Sequence, residues 1–209
     1  KLKEEKRIEA ERVIARNSEI LNKSAKFIKK VFIVIFIGLI IYFSYDQITD
    51  KYSVKKQLEN GDKYYIAINP DYEKAFKWYE KAALQDNASG QTKLGNMYRL
   101  GLGTTQDYKE AFKWYEKAAL QEDASSQYWI ALLYKLGYGT KIDYTESFKW
   151  SEKSANQGNI HAILLLANNY YFGDGVKQNK MKAKQLYKKA CEQGNKDSCQ
   201  NLKKFNFTN

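Results

Sequence analysis

Over most of the chain, apolar positions recur at helical spacing, and the helical pattern itself recurs at a fixed offset. In residues 107–121, DYKEAFKWYEKAALQ, Ala111, Phe112, Tyr115, Ala118 and Ala119 fall at i, i+1, i+4, i+7 and i+8, one face of an α-helix. The same stretch stands 36 residues earlier as DYEKAFKWYEKAALQ (71–85) and 36 later as DYTESFKWSEKSANQ (143–157). A drifted form, NKMKAKQLYKKACEQ, follows at 179–193. Trp78, Trp114 and Trp150 share one register, and Leu186 takes the fourth place. Asp107 reads as an N-cap and Glu110 completes a capping box; Asp143 and Glu146 repeat it, whereas Asp71 and Asn179 keep only the cap.

A second helix precedes each of these. In 87–106 the apolar positions Leu94, Met97 and Tyr98 again have helical spacing, and Gly101 and Gly103 separate the two helices. The glycines recur as Gly137/Gly139 and Gly173/Gly175, where a backbone past a helix end turns left-handed. Small residues hold matched places (Gly95, Ala131 and Ala167; Ala82, Ala118, Ser154 and Ala190) and let helices approach closely. Each unit is therefore a two-helix hairpin that cannot bury its apolar face alone and must stack on its neighbours. Recurrence marks Tyr98, Tyr134, Tyr170 and the tryptophans as packing, so function is expected where the repeats differ.

The N-terminal part follows a different pattern. Residues 1–26 carry the pairs Val13/Ile14 and Ile20/Leu21, continued by Phe27/Ile28, on an otherwise charged background, which predicts an amphipathic helix. Ala10, Asn17 and Ser24 make a poor heptad seam, so a coiled-coil dimer is the weaker reading. Residues 31–43, VFIVIFIGLIIYF, contain no polar side chain. The stretch 27–45 approaches the ~20 helical residues that cross a bilayer, with Lys29 and Lys30 near enough to one end to snorkel. A buried core helix and a cleaved signal peptide are the rivals; no A-x-A site follows Phe43. Lys23, Lys26, Lys29 and Lys30 precede the span and Asp46 and Asp50 follow it, which puts 1–26 in the cytoplasm and the repeats outside. Residues 46–56 read as a connector. Residues 57–209 read as the solenoid, with units at about 57–86, 87–122, 123–158 and 159–194 and a cap at 195–209.

Charge changes this picture little. The chain has 209 residues and a net charge of +11, but ten Lys/Arg against five Glu fall in residues 1–30. No dense basic stripe interleaved with aromatics runs through the repeats, so nucleic acid is not an expected partner.

The pattern resembles the Sel1-like repeat family, a relative of tetratricopeptide repeats. The matching features are L-G-x-x-Y at 94–98, the L-G-x-G turn at 100–103 and D-Y-x-x-A-x-x-W-x-x-K-A-A at 107–119. The resemblance covers roughly 57–205. Ile130 replaces Leu94 in register, the first unit lacks a clear Gly-x-Gly turn and the last lacks Trp, so the end units are expected to act as caps. The resemblance implies an all-α fold, an α-solenoid of helix-turn-helix repeats, here preceded by a single transmembrane helix, with a concave surface that binds other proteins. Cys191 and Cys199, the only cysteines, resemble the pairing of the cysteine-rich branch of the family, where such spacing links helices of adjacent hairpins. That pairing implies an oxidising compartment; two free thiols in a cytosolic protein are the alternative.

Catalytic and metal constellations are missing. His161 is the only histidine and has no second ligand cluster, and no G-x-S-x-G, H-E-x-x-H or P-loop occurs. No cofactor, small-molecule substrate or enzymatic activity is expected; a cell-wall enzyme is the outlying reading. The expected function is a membrane-anchored adaptor at the bacterial inner membrane, its periplasmic repeats binding a protein partner. An immunity protein that neutralises a toxin acting in the periplasm is the alternative. Candidate groove residues are the non-recurring positions of the first helices: Gln91, Lys93, Asn96, Arg99, Tyr128, Trp129, Lys135, His161, Asn168, Asn169 and Tyr171. Trp129 stands in register with Lys93 and Leu165 and reads as a binding hot spot, with core packing as its alternative.

Overall fold

The computed structural model describes residues 16–17, 28–30, 32–33, 35–41 and 53–205. The chain divides into two compact units, Lys1–Ser53 and Val54–Asn209. In the first, the described residues of 28–41 are helical and hold Phe32, Phe36 and Ile41 exposed. No helix among the described residues is long and apolar enough to cross a membrane. The rest of the expected span 27–45, nearly all of the expected helix 1–26 and residues 46–52 of the expected connector 46–56 lie outside the described residues; 53–56 are helical and run into the first helix of the solenoid.

The second unit is all helical, with no strand among its described residues. α1 (helical over 54–65 here) is followed by α2 (Tyr72–Leu84), α3 (Ala88–Leu100), α4 (Tyr108–Leu120), α5 (Ala124–Leu136), α6 (Tyr144–Asn156), α7 (Ile160–Phe172), α8 (Lys180–Glu192) and α9 (Lys196–Lys204). Each helix packs on the next, so the odd-numbered first helices and the even-numbered second helices alternate along the array. Every helix from α2 to α9 starts at an Asp or Asn whose side chain accepts a backbone N–H of the first turn. The expected caps Asp71, Asp107, Asp143 and Asn179 are among them; Asn87, Asp123, Asn159 and Asn195 do the same for the first helices.

The core repeats with the sequence. Edge-to-face pairs Phe76–Tyr98, Phe112–Tyr134 and Phe148–Tyr170, with centroids 5.3, 5.2 and 5.4 Å apart, join a second helix to the first helix after it. Trp114 packs against the cluster of Ala75, Tyr79, Ala83, Leu94 and Met97, and Trp150 against the cluster of Ala111, Tyr115, Ala119, Ile130 and Leu133. Leu186, in the tryptophan register, packs on the cluster around Ala183 and Tyr187. This register therefore glues each hairpin to the one before. Lys81, Lys117 and Lys153 cover the outer ring faces of Trp78, Trp114 and Trp150.

Helix α6 departs from the pattern. Ser147, Ser151 and Ser154 occupy buried places that Ala111, Tyr115 and Ala118 fill in α4. Ser154 donates to the Ala124 carbonyl, but the Ser147 hydroxyl has no partner. A buried hydroxyl left unpaired costs about 1–3 kcal/mol. Ser147→Ala, which restores the residue of the neighbouring repeats, is therefore expected to raise stability by about 1 kcal/mol in urea unfolding. An unchanged or lower midpoint would mean that the hydroxyl is satisfied in solution.

The helices close with the expected glycines. Gly101, Gly137 and Gly173 are left-handed C-caps of α3, α5 and α7. The turns between one hairpin and the next use a second left-handed position, occupied by Asp86, Glu122, Gly158 and Gly194. Cys191 at the end of α8 and Cys199 on α9 form a disulfide, as the family resemblance implied.

Candidate protein-binding face

The first helices α3, α5 and α7 lie side by side in the array order, and their outward positions carry the least repetitive residues of the solenoid. The buried tyrosines of the second helices underlie this face. Tyr79, Tyr115 and Tyr187 each donate a hydroxyl hydrogen bond to the first helix of their own hairpin or the one beside it: to Asp62 at 2.7 Å, Asn96 at 2.7 Å and Asn168 at 2.5 Å. Burial pushes all three phenols up from their ordinary range, so they remain donors at neutral pH. Asn96 and Asn168 thus hold a recurring structural place as well as a position on the face.

The residue three before Asn96 and its equivalent in α5 cover these rings. Lys93 Nζ stands 5.3 Å from the Tyr79 centroid and pairs with Asp62 at 2.7 Å. Burial pushes the Asp62 carboxyl up, but hydrogen bonds from Lys93 and Tyr79 outweigh it and leave the group below its ordinary range. Trp129 stacks on Tyr115, with centroids 6.0 Å apart and planes 15° apart. It also packs on the buried cluster of α4 and α5, so it is part core and part face rather than a free-standing hot spot.

Around Trp129 the structure brings several predicted residues together. The Arg99 guanidinium lies 4.0 Å from the Trp129 ring centroid, and its Nε donates to the Tyr115 hydroxyl at 3.2 Å. Tyr128 is 5.1 Å from Trp129, and His161 is 5.7 Å from Tyr128 between centroids. Asn96, Arg99, Tyr128, Trp129 and His161 therefore form one cluster across α3, α5 and α7; His161 is its exposed member.

The other candidates lie elsewhere. Gln91 was expected to be exposed and is 1 % exposed. Its Nε2 donates to Asp86, and it accepts from Gln121, just as Gln127 accepts from Gln157 in the next unit. It ties turn to helix and does not line the face. Asn169 was also expected outside and is buried: it donates to Ser151 Oγ at 3.2 Å and accepts from Lys135 Nζ at 3.0 Å. Lys135 pairs with Asp174 at 3.0 Å. This small polar group fills the place where other hairpins have a tyrosine, and the Ser151 break in that register was its visible signal. Tyr171 stacks on Phe205 at the C-terminal end, with centroids 3.9 Å apart. Among the described residues, no group of three His, Cys, Asp or Glu is placed to hold a metal ion.

The Sel1 repeat family matches residues 58–87, 88–123, 124–159 and 160–195, one residue displaced from the units read off the sequence. No curated protein sequence matches the chain significantly. Among solved structures, it is similar to a protective antigen present in uropathogenic Escherichia coli strains that displays an SLR fold, at 36 % identity and a TM-score of 0.69 over 75 % of this chain and 34 % of that one. It is also similar to a Sel1 repeat protein from Oxalobacter formigenes, at 30 % identity and a TM-score of 0.67 over 76 % of this chain and 65 % of that one. The chain thus spans less than two thirds of the length of either relative. Helicobacter pylori cysteine rich protein B, at 23 % identity and a TM-score of 0.50 over 66 % of this chain and 99 % of that one, shares the fold. With four matched repeats stacked as an all-α solenoid, the chain belongs to the Sel1 repeat family, whose repeats are protein–protein interaction modules.

Proposed function

We propose that this chain is a membrane-anchored adaptor. Residues 27–45 span the bacterial inner membrane once, residues 1–26 lie in the cytoplasm, and the solenoid stands in the periplasm and holds a protein partner on the face of α3, α5 and α7. The observation that carries the binding role is the cluster of Arg99, Tyr128, Trp129 and His161, which crosses three repeats without recurring in register. Aromatic and arginine side chains of this kind dominate interface energetics. The anchor is supported by the thirteen-residue apolar run 31–43 and by the exposure of Phe32, Phe36 and Ile41, large apolar side chains that a water-soluble helix would bury. The Cys191–Cys199 disulfide supports an oxidising compartment.

Photo-crosslinking in intact cells tests the reading. A photoreactive amino acid at Tyr128 or His161 is expected to give discrete protein adducts recovered from the membrane fraction. The same group at Lys149, exposed on α6 in the other helix layer, is expected to give none. Identical adducts from all three positions, or none from the first two, would overturn it.

A further inference from the structure

Resting on that reading of the face, we propose that it takes an extended acidic peptide segment, with one Asp or Glu side chain of the partner seated on Arg99 between apolar neighbours held by Tyr128, Trp129 and His161.

The charge distribution of the first helices points to such a ligand. The sequences of α3, α5 and α7 contain no Asp or Glu at all; their ionisable groups beyond tyrosine are Lys93, Arg99, Lys135 and His161. The second helices α2, α4 and α6 carry glutamates throughout. Two of the cations are already neutralised by carboxylates from outside these helices, Lys93 by Asp62 and Lys135 by Asp174. Arg99 is not: no carboxylate among the described residues lies within ion-pair distance of it.

Its immediate partners are neutral. Nε donates to the Tyr115 hydroxyl, and Nη2 makes a long 3.5 Å contact with the Asn96 side-chain Oδ1. Tyr115 itself donates to Asn96, so it meets Arg99 as a hydroxyl and not as a phenolate. A guanidinium has five N–H donors in a planar fork, and most of the Nη edge is left over. The Trp129 ring 4.0 Å away and the Nε bond to Tyr115 restrain the guanidinium, so a carboxylate meets a fork that is already held in place and loses less entropy in forming a bidentate pair. Tyr128 and His161 extend the aromatic surface from that fork toward α7. One unneutralised cation suits a single carboxylate. A nucleic acid draws its affinity from several phosphate contacts at once, for which the already paired Lys93 and Lys135 are poorly placed.

The test uses the 209-residue chain and arrays of C-terminally amidated nonapeptides with randomised apolar flanks and a central Glu, Gln or Lys. The Glu-centred set is expected to bind about tenfold more tightly than the Gln-centred set, and the Lys-centred set more weakly still. Arg99→Gln is expected to erase the Glu preference while Gln-centred binding persists. Arg99→Lys keeps the charge without the fork and is expected to retain part of the preference, and Tyr128→Ala is expected to weaken all sets alike. Equal binding of Glu- and Gln-centred sets that still depends on Tyr128 would overturn the carboxylate role and leave the face intact. Binding indifferent to Tyr128, or no binding by any set, would overturn both. Displacement of the Glu-centred peptides by a single-stranded oligonucleotide at lower concentration would overturn the choice of ligand.

Discussion

Gly139→Ala is expected to lower stability by about 3 kcal/mol and the melting temperature by about 10 °C, a large loss for a single added methyl. Two independent costs meet at this residue. Its φ of 72° lies in the left-handed region, where a Cβ costs about 1–2 kcal/mol. The added Cβ would also fall inside the contact radius of the Tyr108 carbonyl, at the start of α4. That neighbour is backbone, so it cannot rotate away, and the turn must lift off the preceding hairpin. Gly103 meets the Tyr72 carbonyl and Gly175 the Tyr144 carbonyl in the same way. Gly158 supplies the control. It is left-handed at 87°, but a Cβ there has nothing within 4 Å. Gly158→Ala is therefore expected to cost only about 1 kcal/mol. Urea and thermal unfolding of the two variants separate backbone strain from close approach. Equal losses would mean that the turn of 137–142 does not rest on α4.

The second glycine of each Gly-x-Gly turn could be placed from its recurrence, which supplies only a conformational reason for it. The surface it presses on belongs to a residue 31 positions earlier, and periodicity of side chains carries no information about a neighbour's backbone. The helices, their caps and the tryptophan register were legible because each depends on local spacing or on a repeat of identical residues. The face was legible only in part, for the same reason. Trp129 breaks the register in residue type, its equivalents being Lys93 and Leu165, yet Lys93 and Trp129 do one job: each covers the buried tyrosine beneath it. The place recurs while the residue type changes. Gln91 failed in the opposite sense. Its equivalent Gln127 is identical, and the partners that bury both, Gln121 and Gln157, stand 30 residues away at the ends of second helices. Apolar periodicity cannot show a polar side chain satisfied inside. Asn169 and Ser151 became partners through two substitutions on different helices, neither of which has meaning alone.

Removing the Cys191–Cys199 bridge is expected to release α9 while leaving the middle of the array nearly unchanged. The bond closes a short loop between residues eight apart, for which chain entropy gives about 2–3 kcal/mol. The helix it holds has little else. α9 has nine residues, and a helix that short is marginal in water without tertiary support. Its one fully buried residue is Ser198, whose hydroxyl has no partner, and Leu202 and Phe205 pack only partly on the α7–α8 cluster. In a solenoid each unit contacts only its neighbours, so an end unit opens without the rest. In the Cys191→Ala/Cys199→Ala variant, amides of 196–205 are expected to exchange about 30- to 100-fold faster, while those of α4 and α5 keep their protection. Tyr171 should lose its stacking partner Phe205 at the same time, exposing the C-terminal edge of the first-helix face. Unchanged exchange over 196–205 would mean that α9 is held by packing and that the bridge adds nothing. Loss of protection spreading into α5 would mean that the array unfolds as one unit, and that the disulfide guards the whole face and not its last turn.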